Sequence, residues 1–431
     1  MTQLLQPNRT TTPDSKPVRN LSVQEAESSR LSNGVAVYSV NAGFQDLVRI
    51  EFLFENKSFS LAQPLVSSTA NRLITEGTSR HSALEIAQLV DDYGAFLETE
   101  ESSDACSIVL YTLNKHLAKT LPVVREVLTE AAYPASELQV YVSKQQQRLV
   151  VENERVNSIA RRKFNQLLFG NQHPYGYFVQ PDDYGKLEST LLSAYHRQHY
   201  TAENCTILVA GKVYPTTFEL LEQNFGDNGW MSTSTEHGEM GAITAVADRQ
   251  HYIHKDGALQ SAIRIGRPMI TREHEDYPGL AVLNTVLGGY FGSRLMSNIR
   301  EDKGYTYGIG SAMVSLKQAG YFFISTEVGA DVTAAALEEI YKEIELLRHE
   351  LIGEEELQMV RNYMLGSFLK GIDGPFALLD RFKSLFLSGL DYSYYRNYLH
   401  TLETIGPEEM RDLARKYYDR ADLYELVVGV K

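Results

Sequence analysis

Two cysteines, Cys106 and Cys205, are all that the 431 residues contain, too few for a disulfide framework or a cysteine-based metal site. Both are expected as small buried residues on strands. No apolar run approaches the roughly 20 residues a membrane-spanning helix needs, and the opening MTQLLQPNRTTTPDSKPVRN has no apolar core of signal-peptide length. Blocks of lysine and arginine are missing too, and with a net charge of -14 the surface is wrong for nucleic acid. The expectation is a cytoplasmic protein that binds neither nucleic acid nor membrane, with residues 1–15 loose. Nor is there a glycine-rich phosphate loop, a serine nucleophile elbow or a Cys-His pairing. What remains is ordinary globular composition, 43% hydrophobic and 22% charged, in a chain longer than one typical core, so two or more domains are expected.

The chain repeats itself. HRQHYTAENCTILVAG, ending at Gly211, and ARKYYDRADLYELVVG, ending at Gly429, each read as a polar helix end with a tyrosine, a turn and an apolar strand. Tyr200 and Tyr418, Gly211 and Gly429, and Phe164 and Phe382 are all 218 residues apart, and Glu137-Leu138-Gln139 stands 219 before Glu356-Leu357-Gln358. Four matches near one offset argue for two copies of one domain. The stretch Gly226 to Val246, rich in Gly, Ser and Thr, reads as a linker, which gives domains over 16–225 and 247–431. Within the first copy, strands are expected over 35–38 and 47–54, and helices over 65–76, from Ser82, and over 117–132. Residues 95–113 alternate as strands do, and Ser136 would cap a helix running through Leu149. The fold class is α+β, two homologous domains, each a largely antiparallel sheet with helices over one face.

One stretch carries chemistry. In Leu287 to Ser311, LGGYFGSRLMSNIREDKGYTYGIGS, the glycines bracket a short helix, with Ser293 as a plausible N-cap and Gly304 at the left-handed C-terminal position. A strand is expected from Tyr305. Arg300 in the last helical turn then lies near Tyr307, and a guanidinium beside a phenol offers donors to a carbonyl, a carboxylate or a developing oxyanion. The structural alternative is a surface arginine at a helix end and a packed strand tyrosine.

This stretch resembles the C-terminal-domain signature of the insulinase-type (pitrilysin, M16) zinc peptidases, whose helix reads IRE-x-K-G-x-x-Y. The resemblance covers about Leu31 to the C-terminus. It implies a clam-shell of two such domains, the LuxS/MPP-like metallohydrolase fold, and a substrate-binding role for Arg300 and Tyr307 across the cleft from a zinc ion. The zinc half of the pattern is His-x-x-Glu-His on a helix, because positions four apart share a face and can reach one metal while the glutamate activates its water. Anchored on Glu76-Gly77-Thr78, the two histidine positions fall on Ser68 and Arg72 and the glutamate on Asn71. Arginine cannot shed its proton to become a ligand, and an amide is no general base. Anchored on His173-Pro174-Tyr175-Gly176, the third ligand falls near Arg148 or Leu149, with Glu152 and Glu154 about a turn away. No metal is therefore expected on this chain, nor any catalytic residue of its own.

Other polar groups carry less. His196 and His199, three apart on a helix, read as a solvated or capping pair. His251, His254 and His274 read as surface residues, and Glu98-Thr99-Glu100-Glu101 as a wet loop or cleft rim. What the resemblance implies is a non-catalytic, substrate-binding subunit of a two-chain M16-type peptidase, its partner a homologue that bears the zinc. A structural or assembly protein, like the respiratory-complex core subunits of this fold, and a peptide-binding homodimer are the alternatives.

Overall fold

A computed structural model describes residue 10 and residues 21–230 and 239–430. Most of the expected loose N-terminus, and residues 231–238 of the expected linker, lie outside the described residues. Strands β1 (Glu27–Arg30), β2 (Ala36–Asn41), β3 (Leu47–Glu55), β4 (Phe96–Glu101), β5 (Ala105–Leu113) and β6 (Cys205–Gly211) form one sheet in the order β1-β2-β6-β3-β5-β4. A second sheet, ordered β7-β11-β8-β10-β9, is built from β7 (Gln250–His254), β8 (Gln260–Met269), β9 (Ile309–Ser315), β10 (Gly320–Gly329) and β11 (Tyr424–Gly429). The pairs are antiparallel except β2 with β6 and β7 with β11. The architecture is α+β, two mainly antiparallel sheets under helices. Among the described residues no helix is long and apolar enough to cross a membrane.

Alternation along β3 explains the layering. Val48, Ile50, Phe52 and Phe54 enter a core shared with the Val66–Leu73 and Leu117–Glu130 helices. The opposite face is not left to solvent, as a sheet with helices on one side would leave it. There Leu53 meets Leu378 and Leu379 of the Pro375–Leu387 helix, which comes from the far half of the chain, and Phe382 of that helix packs 4.6 Å from the Tyr38 ring. The exchange is reciprocal: the Val156–Phe169 helix of the first half lays Phe164 and Leu168 on Ala262, Tyr424 and Leu426 of the second sheet. The repeat partners Phe164 and Phe382 thus each sit on the other half's sheet. Full burial of a side chain of that size contributes about 1.5–3 kcal/mol.

Charge fixes how the Pro375–Leu387 helix sits. Glu51 is fully buried and accepts from Arg49 at 2.7 Å and from Lys383, which also reaches Glu100 at 3.0 Å, while Arg49 holds Asp380 at 2.7 Å. A buried carboxylate without such partners is strongly unfavourable, so sliding the helix would strand Glu51.

Local expectations hold in part. Ser82 and Glu85 form a reciprocal capping box, and residues 95–113 are the β4–β5 hairpin. Ser136 is not a cap: Pro134 holds the N-cap position of the Ala135–Glu154 helix, its fixed φ suiting a helix start, so Ser136 lies in the first turn. Cys106 and Cys205 are free and buried on β5 and β6.

Candidate functional site

The Arg300 segment is built on wide helical turns. Thr285–Gly289 and Met296–Asp302 are both π-helical, a geometry found mostly as short bulges at functional sites. Gly288 passes so near β9 that an added Cβ would lie 2.6 Å from the Ser311 nitrogen. Gly304 ends the second turn at φ +66°, as expected. Ser293 does not cap the helix; its hydroxyl is buried without a hydrogen-bond partner. Nor does the strand begin at Tyr305. The Thr306 hydroxyl donates to the Glu327 and Gly308 carbonyls and accepts from the Gly308 amide, and these local bonds replace ladder bonds until Ile309.

Arg300 and Tyr307 are neighbours, though not as guanidinium and phenol. Arg300 Nε donates to the Tyr307 carbonyl at 3.1 Å, its guanidinium carbon stands 4.6 Å from the Phe291 ring centre, and Nη1 is 3.6 Å from Glu301. The Tyr307 side chain is 96% exposed. The geometry is a guanidinium steadied at Nε and over one ring face, with a free-standing phenol beside it.

Ser68, Asn71 and Arg72 lie on the Val66–Leu73 helix, which packs on β4, β5 and the Ser189–His199 helix, whereas the Arg300 turn packs on β9 and the Thr333–His349 helix. The structure does not bring the two sets into one cluster within the chain. Ser68 Oγ donates to the Leu65 carbonyl at 3.2 Å. Asn71 is buried, its amide donating to the Glu100 carbonyl at 2.8 Å and accepting from the Tyr200 hydroxyl at 3.1 Å. Arg72 is exposed, and its charge acts on Glu76 and Glu101. A zinc ion does not fit there, since the face offers a committed hydroxyl, a committed amide and a permanent cation. At the third-ligand position Leu149 is buried and Arg148 pairs with Glu152 at 3.0 Å, while Glu154 pairs with Lys255 at 2.8 Å. Among the described residues no three His, Cys, Asp or Glu side chains are grouped to hold a metal. Beside the helix lies a cleft of about 630 Å³, bordered by Ser67, Ser68, Glu101, Arg161 and Tyr177.

The reading of His196 and His199 as solvated is overturned. Both are buried: His196 lies between the Tyr133 and Tyr200 rings, stacked on the latter at 5.2 Å, and His199 stacks on Tyr195 at 4.0 Å. His254 is exposed on β7, and Glu98 to Glu101 form the edge strand β4. Sequence reasoning missed a clasp between the halves. Asp104 accepts from the Tyr175 hydroxyl and from the Lys317 amide at 3.0 Å, and His173 Nε2 meets Gln318 Oε1 at 3.0 Å. The only advance signal was the His-Pro-Tyr-Gly landmark.

These features define an α+β protein of two sheets in which each half lends a helix to the other half's sheet. Residues 186–364 match the family described as the peptidase M16 inactive domain. The chain is 23% identical over 356 residues to the uncharacterized zinc protease YmxG of Bacillus subtilis, covering 82% of this chain and 85% of that one. It is 19% identical to the non-peptidase homolog YmxG of Helicobacter pylori, covering 84% and 83%. Among solved structures it is similar to a peptidase M16 inactive domain from Pseudomonas fluorescens, with TM-score 0.83, 19% identity and 95% and 99% coverage. A chain of complex III from Candida albicans gives TM-score 0.73, 14% identity and 94% and 95% coverage. Over 82% of its length the chain is thus similar to an M16-type zinc protease, and residues 186–364 match the M16 inactive domain; it lacks the His-x-x-Glu-His motif and has the Arg300/Tyr307 pair.

Proposed function

We propose that this chain is the non-catalytic, substrate-binding subunit of a two-chain M16-type peptidase that works on peptides in the cytoplasm, the zinc being carried by a homologous partner. One observation carries the reading: Arg300 is positioned by the Tyr307 carbonyl and the Phe291 ring beside an exposed phenol, on a chain whose own metal face holds no ligand. A scaffold has no need of that arrangement. With Nε held by the Tyr307 carbonyl and Nη1 near Glu301, the Nη2 N–H groups are left to hold a peptide carbonyl while the partner's metal-bound water attacks.

The test is Arg300→Ala in the reconstituted mixed complex. Turnover should fall roughly a hundredfold with assembly, followed by gel filtration, unchanged; an unaffected rate removes the reading. The complex III neighbour favours a second reading, an assembly protein of the same fold. In that case mixing this chain with any zinc-bearing homologue yields no peptidase activity, and Arg300→Ala has no phenotype. A homodimer that binds peptide without hydrolysis would show up as self-association with no dependence on a partner.

A further inference from the structure

We propose that the cavity where the Ala135–Glu154 and Val156–Phe169 helices meet is a subsite for the free C-terminal carboxylate of a bound peptide; this rests on the peptide-binding reading and specifies which end of the peptide is held. The cavity is about 780 Å³ and its wall includes Arg155, Asn157, Arg161, Arg264 and Glu327, room for the last few residues of a peptide. Arg264, at 7% exposure, is the key group: its Nε has no hydrogen-bond partner, and its nearest polar contact is Asn157 Oδ1, 3.4 Å from Nη2.

The first sheet supplies the comparison. Arg49, also on a central strand facing an exchanged helix, is 3% exposed and holds both Glu51 and Asp380 at 2.7 Å. Arg264 has no such pair, although carboxylates are near. Glu327 accepts from the Asn157 amide at 2.8 Å, Glu154 is taken by Lys255 at 2.8 Å, and Asp256 by His254 at 2.8 Å. Among the described residues Arg155, Arg161 and Arg264 form no ion pair, in a protein of net charge -14. Burial pulls the Arg264 pKa down to about 10, with the Glu327 charge opposing it, and its guanidinium carbon stands 5.2 Å from the Phe323 ring centre.

The chemistry selects the ligand. A guanidinium fork matches a planar carboxylate. The start of the fourteen-residue Val156–Phe169 helix, with no side-chain cap, adds its positive end. With Glu327, Glu154 and Asp256 also in the wall, a dianion such as phosphate is disfavoured relative to a monoanion. Arg161 borders both this cavity and the cleft beside Ser68, so the two are neighbours on the surface.

The test uses the full chain and fluorescence anisotropy with an N-terminally fluorescein-labelled Gly-Ser octapeptide, as the free acid, as the C-terminal amide, and as an amide with one internal Glu. The free acid should bind roughly tenfold tighter than either amide. Arg264→Met should erase that preference and leave amide binding unchanged. Should Arg264→Met fail to fold by circular dichroism, the exposed Arg161→Ser should cut the preference roughly threefold. Arg300→Ala should keep it intact, so a loss of turnover in the mixed complex and a loss of carboxylate preference report separate sites. Equal binding of acid and amide, no binding of either, acid-like binding of the Glu-bearing amide, or loss of the preference in Arg300→Ala overturns the assignment.

Discussion

His196 sets an acid limit on the first half of the molecule. It is 5% exposed in the Ser189–His199 helix, between the rings of Tyr133 and Tyr200, and its Nε2 has no hydrogen-bond partner. Burial carries its pKa from 6.5 down to about 4, against a hydrogen bond at the Leu128 backbone that works the other way. With the folded value below the unfolded one, the unfolded chain takes up the proton first. Stability is therefore fully present above about pH 6.5, declines as the pH falls, and levels off below about 4. The loss is about 2 kcal/mol by pH 5 and about 3 kcal/mol at the bottom of the window. Urea midpoints of the wild type and His196→Leu at about pH 7.5 and about pH 5 measure it. Other groups also titrate: burial lowers His173 likewise and raises Glu76 and Glu343, so the difference between the two proteins is the quantity of interest. The leucine variant should lose about 2 kcal/mol less over that interval. If both proteins lose the same amount, His196 is not held neutral in the folded state and the argument fails.

Two further outcomes follow from the packing. Phe164→Ala should cost about 3–5 kcal/mol, read as a lowered urea midpoint, because the ring is fully buried on the opposite half's sheet; Phe382→Ala, half-buried on β2, should cost less. Asn71→Leu should cost about 1–3 kcal/mol, since it leaves the Glu100 carbonyl and the Tyr200 hydroxyl without their partner, and it should leave zinc content by plasma emission spectroscopy unchanged.

What the sequence made legible was local or periodic. The helix beginning at Ser82 and the strand alternation of residues 95–113 were read from local pattern, and Phe164 and Phe382 share an offset of 218 residues. Which sheet those phenylalanines cover was not legible, because periodicity tells which face of a helix is apolar and not which partner buries it. For the same reason two polar residues three apart on a helix looked wet, although the Tyr133, Tyr195 and Tyr200 rings bury His196 and His199. The Arg300 site was found by its motif, but the π-helical turns and the Thr306 bonds that set its geometry depend on the Glu327 carbonyl, a contact from 21 residues downstream. Arg264 left no local signal, because what distinguishes it from Arg49 is the absence of a partner in three dimensions.

The Val66–Leu73 helix is held in place by packing and hydrogen bonds. On a catalytic helix the residues that face the ion are exposed to substrate and fixed by the metal itself. Here the same helix is fixed by other means: Asn71 ties β4 to Tyr200, whose hydroxyl continues to Cys106 Sγ at 3.4 Å, while Arg72 stands in solvent beside Glu76 and Glu101. Putting a carboxylate at position 71 would bury it between a carbonyl and a phenol with no cation to compensate. On the other half of the chain the polar groups remain open. Arg300 is anchored by one nitrogen, and Thr306 ties its loop to β10 at Glu327, which also walls the Arg264 cavity. Asn71 is thus committed to packing, while Arg300 stands half-buried beside an exposed phenol.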